Sequence, residues 1–199
     1  IYNGVPEVRQ ERCPFLVDGK TNILFAGRYD EQKGISHLIY IIRQLQDMPE
    51  YHFHVVGGGK LQNLVDAQLG TLPNVSLHNP VFGISRYLAS FDYMLMPSEF
   101  EGLPLMSVEA SFAGLPVVCS DCKGLNETVP AGWQLTAHGN SHEEYMQIFR
   151  KVIPHTDRAA LAQTARRFVR EHFSVEKMQA GYELSLIHIS EPTRPISIS

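Results

Sequence analysis

Six short runs rich in β-branched and aromatic residues recur along this chain, and helical patterns fill most of the gaps between them. The runs are "NILFAG" (22–27), "YHFHVVG" (51–57), "NVSLH" (74–78), "DYMLMPS" (92–98), "LPVVCS" (115–120) and a short "GWQL" (132–135). Between them lie helix patterns near 35–46, 60–70, 84–91 and 104–114, and further ones follow near 141–152, 156–173 and 174–183. Strands that alternate with helices must run parallel and be covered on both sides. The expected fold is therefore α/β: a Rossmann-like parallel sheet of about six strands, helices on both faces and extra C-terminal helices. In such a sheet ligands gather at the carboxyl ends of the strands, where helix N-termini also point. Three stretches are placed to matter: "GRYDEQKG" after the first strand, "GGGK" after the second and "SEFEGLPLMSVE" after the fourth.

Composition narrows the classes. With 44% hydrophobic and 19% charged residues in 199, the chain can build one good core. A net charge of -4 with scattered lysines and arginines gives no basic stripe for nucleic acid or anionic lipid. No apolar run approaches the roughly 18 residues of a membrane span and no signal peptide opens the chain, so a cytoplasmic location is expected. Three cysteines without a framework spacing fit a reducing compartment. The chain starts at "IYNGVPE" without methionine, and "LSLIHISEPTR" resembles a sequencing adapter translated in frame. We expect one domain over residues 1–183, upstream residues lost, and a non-native tail over 184–199.

"EGLPLMSVE" carries Glu101 and Glu109 in a stretch otherwise nearly free of charge, and a buried unpaired carboxylate is costly. Pro104 suits a first helical position, leaving the N–H groups of Gly102 and Leu103 at a positive helix end beside Glu101. Glu109 lies five residues on, about 7.5 Å along the axis. Two carboxylates so spaced could grip two polyols of one elongated ligand; equally, Glu101 could serve the helix dipole and Glu109 an Arg or backbone donor. In "GRYDEQKG", Arg28 and Lys33 match a diphosphate, or could form ion pairs with Asp30 or Glu31.

Other motifs are weaker. "VVGGGK" (55–60) lacks both dinucleotide and phosphate-loop spacing. "CSDC" (119–122) ends a buried strand and has no second cysteine pair, which disfavours zinc or redox chemistry. His52 and His54 share a strand face and read as packing. No D-x-D pair indicates a divalent cation, and no G-x-S-x-G elbow a serine nucleophile.

Taken together, "FAGRYDEQKG", "VVGGG", "DYMLMPSEFEGLPLMSVEASFAGLPVV" with its E-x7-E block, and "GLNE" (124–127) resemble the carboxyl-terminal half of a retaining family 4 (group 1) glycosyltransferase. That architecture, called GT-B, faces two Rossmann-like domains across a cleft. The resemblance runs from "IYNGV", similar to the interdomain hinge, to about Glu183. It implies a nucleotide-diphosphate sugar donor, UDP- or GDP-linked, without a metal or other cofactor. Arg28 and Lys33 beside Gly27 would hold the diphosphate and neutralise the leaving group. Glu101, with Gly102, Leu103 and Pro104 beside it, would meet the donor sugar, and Glu109 the ribose. The base would lie near Val81, where this chain reads "HNPVFG" instead of the family's usual glycine. The acceptor, a glycan or lipid-linked glycan, would bind an amino-terminal domain absent here. Peripheral membrane contact, at the inner face, would reside there too. The chain alone should bind donor and turn over poorly or not at all. The competing readings are a sugar-nucleotide epimerase or phosphorylase half-domain, and a non-catalytic nucleotide-binding module.

Overall fold

The computed structural model describes residues 5–179. The "IYNG" start and the adapter-like tail fall outside them. Six parallel strands form one sheet in the order β3-β2-β1-β4-β5-β6: β1 (Thr21–Arg28), β2 (Tyr51–Gly58), β3 (Val75–His78), β4 (Tyr93–Met96), β5 (Val117–Ser120) and β6 (Thr136–Ala137). The order reverses direction at β1, so the crevice between the ends of β1 and β4 is the topological switch point. β4, β5 and the Asn22–Phe25 stretch of β1 are buried, as strands covered on both faces must be.

Helix α1 (Ile35–Gln44) packs on α2 (Gln62–Leu69), while α3 (Leu105–Ala113) packs on α5 (Arg158–Phe173). α3 packs against α5 and is the most buried helix: Ser107, Val108, Ala110, Ser111, Phe112 and Ala113 are all buried. Burying Val108 and Phe112 contributes roughly 1.5–3 kcal/mol each. The helix stops at Gly114, whose φ of 77° supplies the left-handed cap. Gly34, at φ 68°, precedes α1 so closely to β4 that a Cβ there would lie 1.8 Å from the Pro97 carbonyl oxygen. This close approach locks the β1–α1 loop against the end of β4.

Several expected elements differ. "GWQL" is not a strand: Gly132 has φ 71°, the segment turns, and the Trp133 indole donates to the Val117 carbonyl at 2.7 Å. Its apolar residues pack against β5 from the side, and the sixth strand is the two-residue β6 that follows. The segment expected as a helix over 84–91 is a 3-10 turn, Ile84–Ser90, entered through a left-handed Gly83. The helix expected over 141–152 begins as α4 (His142–Gln147) and widens into a π turn over Ile148–Val152, where Arg150 reaches Asp47 and the Gln44 carbonyl. α5 begins at Arg158 because the Asp157 side chain accepts from the N–H groups of Ala159 and Ala160. Asp157→Ala should cost about 1 kcal/mol in urea unfolding, with Asp157→Asn close to the parent. Residues 175–179 are helical, and the rest of the helix expected over 174–183 lies outside the described residues.

Candidate active site

Two clefts meet over the C-terminal end of β1. The larger, about 360 Å³, lies at the switch point between β1 and β4 and is lined by Phe25 to Arg28, Lys33, Leu95, Met96, Ser98, Glu101 and Leu103 to Met106. The second, about 270 Å³, lies over β1 and β2 and is closed by Pro80, Val81 and Ile84. Ala26, Gly27, Arg28 and Met106 line both. The clefts are thus two arms of one groove, with Gly27 and Arg28 at the elbow.

Lys33 and Glu101, 68 residues apart, meet in the larger arm at 2.6 Å. Glu101 is only 6% exposed in its side chain and Lys33 22%, so this is a partly desolvated pair. The Ser98 hydroxyl donates to the same carboxylate oxygen at 2.7 Å. The loops carrying the pair are tied together: Glu99 N–H donates to the Gln32 carbonyl, and the Gln32 amide to the Phe100 carbonyl. Asp30 caps the Lys33 N–H, and Glu31 pairs with Lys60. Arg28, 69% exposed, rests lightly on Asp30 and Gln32 and is free to turn toward a ligand in the groove.

Pro104 is a helix cap and not the first helical residue: its ψ of 95° is extended, and Ser107 N–H donates to its carbonyl. The free N–H groups of the first turn therefore begin at Leu105 and Met106. Both residues line the groove, together with Leu103 and Pro104. Gly102 does not line it; its carbonyl lies against the loop after β5. A Cβ on Gly124, at φ 87°, would lie 1.9 Å from the Gly102 carbonyl oxygen and 2.5 Å from that of Glu101.

Val81 lines the smaller arm. Glu109 does not line the groove. It accepts from the Ser85 hydroxyl at 2.7 Å and faces a separate cavity of about 80 Å³ with Arg166, Phe112 and Gln10. It lies one turn beyond Met106 on α3, and Ser85 follows Ile84, so the Ser85–Glu109 bond sits just behind the wall that Ile84 and Met106 give the smaller arm. Ser85, Ser98 and Gly124 were not picked out as site residues from sequence. Ser98, a small polar residue at a strand exit three positions before Glu101, and Gly124, the first residue of "GLNE", carried a local signal; Ser85 carried none.

The remaining motifs are occupied otherwise. Burial pushes the Cys119 thiol up to about 12 and raises that of Cys122, so neither is a ready thiolate. His54 is fully buried, bonded to Asn22 and His78, and His52 bonds to Ser76. Among the described residues no group of three side chains has metal-holding geometry, and no helix is long and apolar enough to cross a membrane.

The family model for glycosyl transferases group 1 matches residues 20–170. The chain belongs to this family. It is 26% identical over 190 residues to an uncharacterized glycosyltransferase of Methanocaldococcus jannaschii, covering 91% of this chain and 51% of that protein. It is 30% identical over 129 residues to the O-antigen biosynthesis glycosyltransferase WbnH of Escherichia coli, covering 65% of this chain and 36% of that one. The Anabaena HepE structure, in complex with UDP and glucose, superposes with a TM-score of 0.70 at 23% identity, over 84% of this chain and 48% of HepE. At that identity the likeness shows the fold alone, a Rossmann-like α/β sheet of the kind found in GT-B glycosyltransferase structures. The group 1 member described here spans about half the length, or less, of these relatives.

Proposed function

We propose that this chain is the donor-binding half of a retaining glycosyltransferase, holding a nucleotide-diphosphate sugar, UDP- or GDP-linked, for transfer to a glycan or lipid-linked acceptor. The observation that carries the reading is the meeting of Lys33 and Glu101, with Arg28 at the elbow, in one groove at the β1/β4 switch point. A diphosphate at the elbow would take Arg28, Lys33 and the first N–H groups of α3. The sugar would extend along the larger arm to Glu101, and the base into the smaller arm against Val81. HepE, which shares the fold, binds UDP and glucose.

In this reading residues 1–183 form the donor half and 184–199 is a foreign tail. Phe82 and Phe100, 95% and 61% exposed near the strand ends, would face the amino-terminal half that carries the acceptor. Any contact with the inner face of the membrane would come through that half. Two cations and helix N–H groups supply the charge a departing diphosphate needs, so the reading calls for no metal. Glu109 would meet the ribose only after leaving the Ser85 hydroxyl and turning past the wall that Ile84 and Met106 give the smaller arm.

Calorimetric titration with UDP, GDP and ADP, alone and as sugar conjugates, tests this. One nucleotide should bind selectively, and Arg28→Ala and Glu109→Ala should each weaken it about tenfold. An unchanged affinity in Glu109→Ala would remove the ribose role and leave the diphosphate site standing. No binding of any nucleotide would end the donor-site reading.

A further inference from the structure

Two donors converge on a single oxygen of Glu101. Lys33 Nζ and Ser98 Oγ both reach Oε1, at 2.6 and 2.7 Å. The other oxygen, Oε2, bonds to nothing among the described residues, yet it is not among the atoms sealed from solvent. Glu101 lines the groove, so its carboxylate has one oxygen spent inside the protein and one left over for a ligand there.

Ser98 is built for that task. It is 1% exposed, stands two residues past the end of β4, and its carbonyl accepts from the buried Ser120 hydroxyl at 2.6 Å. The hydroxyl of Ser98 is therefore anchored from β5 while it grips Glu101. Gly124 adds the backbone half of the support, since the loop after β5 lies too close to the Glu101 and Gly102 carbonyls for any side chain at that position. Lys33 cannot do this alone, because a lysine recruited to a diphosphate is drawn away from Glu101. Ser98 carries no charge for the ligand to claim.

We infer that Ser98 is a positioning residue: it fixes the Glu101 carboxylate with Oε2 presented as the acceptor for a hydroxyl of the donor sugar, and keeps it there once the diphosphate engages Lys33. The inference rests on the donor-site reading above and deepens it. Ser98 thus acts on the sugar and not on the nucleotide.

The test is a calorimetric comparison of UDP with UDP-glucose, and of GDP with GDP-mannose, on the parent chain, Ser98→Ala, Glu101→Gln and the double variant, with thermal melts to confirm folding. The parent should bind one conjugate more tightly than its free diphosphate. Ser98→Ala should weaken that conjugate about five- to tenfold and leave the free diphosphate within about twofold. Ser98→Cys, similar in shape but a weak donor, should repeat the loss. In the Glu101→Gln background, where Ser98 can still hold the amide oxygen but the sugar meets an amide in place of a carboxylate oxygen, Ser98→Ala should cost less than in the parent. Equal conjugate affinity in Ser98→Ala and the parent, an equal fall for the free diphosphate, or an undiminished loss in the Glu101→Gln background would each overturn the positioning role while the donor site stands. A parent that binds neither diphosphate nor conjugate overturns the donor site itself, and this inference with it.

Discussion

Lys33→Met should lower the stability of the unliganded protein by about 2–3 kcal/mol, or roughly 5–10 °C in Tm. Lys33 is the only cation paired with Glu101 among the described residues, and Glu101 is 6% exposed. Removing it leaves a nearly buried carboxylate with Ser98 as its remaining donor. The loss falls below that of a fully buried pair because Lys33 keeps some solvent contact and the carboxylate keeps one hydrogen bond. Adding Glu101→Gln to Lys33→Met should recover much of the stability, since a neutral amide needs no counter-charge. Diphosphate affinity should not return with it. The two readouts separate structure from function: Lys33 holds Glu101 before a ligand arrives, and under the proposed function it holds the diphosphate afterwards. Equal melting temperatures for parent and Lys33→Met, or a double variant no more stable than the single, would refute the structural half.

Acidification should destabilise the fold well above the range where carboxylates titrate. Asn22 Oδ1 can only accept, and the Asn22 amide nitrogen is committed to the Val17 and Lys20 carbonyls. The network therefore assigns the His54 proton to Nε2, leaving Nδ1 to accept from His78 Nε2 at 3.3 Å. A second proton on His54 would face the His78 N–H with no acceptor. Burial pushes His54 down to about 3 and lowers His52 and His78 as well. Above pH 6.5 these rings are neutral in both folded and unfolded chains, and the full stability is present. Below it the unfolded chain takes up protons that the folded chain refuses, so stability falls by about 1.4 kcal/mol per pH unit for His54, with His52 and His78 acting in the same direction. By pH 3 His54 alone would cost roughly 4–5 kcal/mol, a large share of an ordinary domain's stability. Urea unfolding between pH 7.5 and 5 should show this slope, and His54→Gln should reduce it by about one proton. An unchanged slope in His54→Gln would place its source elsewhere.

The parts of the fold legible in sequence are those that one segment encodes by itself. Runs such as "ILFAG" and "YMLM" are continuously apolar because the middle of β1 and all of β4 are covered on both faces, and that pattern reads directly as buried strand. "GWQL" misled because an apolar cluster that packs sideways on a strand has the composition of a strand. The 3-10 segment over Ile84–Ser90 has helix-like spacing, and its tighter winding follows from where Gly83 and Phe91 are held, which spacing does not encode.

The candidate site divides in the same way. Arg28, Lys33, Glu101 and Glu109 could be named because each charge stands out within its own strand-to-helix turn. The order of strands in the sheet is not written in any turn. Because β4 returns to pair with β1 on the side away from β2, Lys33 meets Glu101 across 68 residues, while Glu109, on the same short motif as Glu101, points to Ser85 behind the groove wall. Sequence by itself determined the alternating α/β plan and the charged residues placed at strand ends. Only the tertiary structure decided that Glu101 has one oxygen held by Lys33 and Ser98 and the other left open, because hydrogen bonds between loops depend on which strands are neighbours, and that choice is made by the packing of the whole sheet.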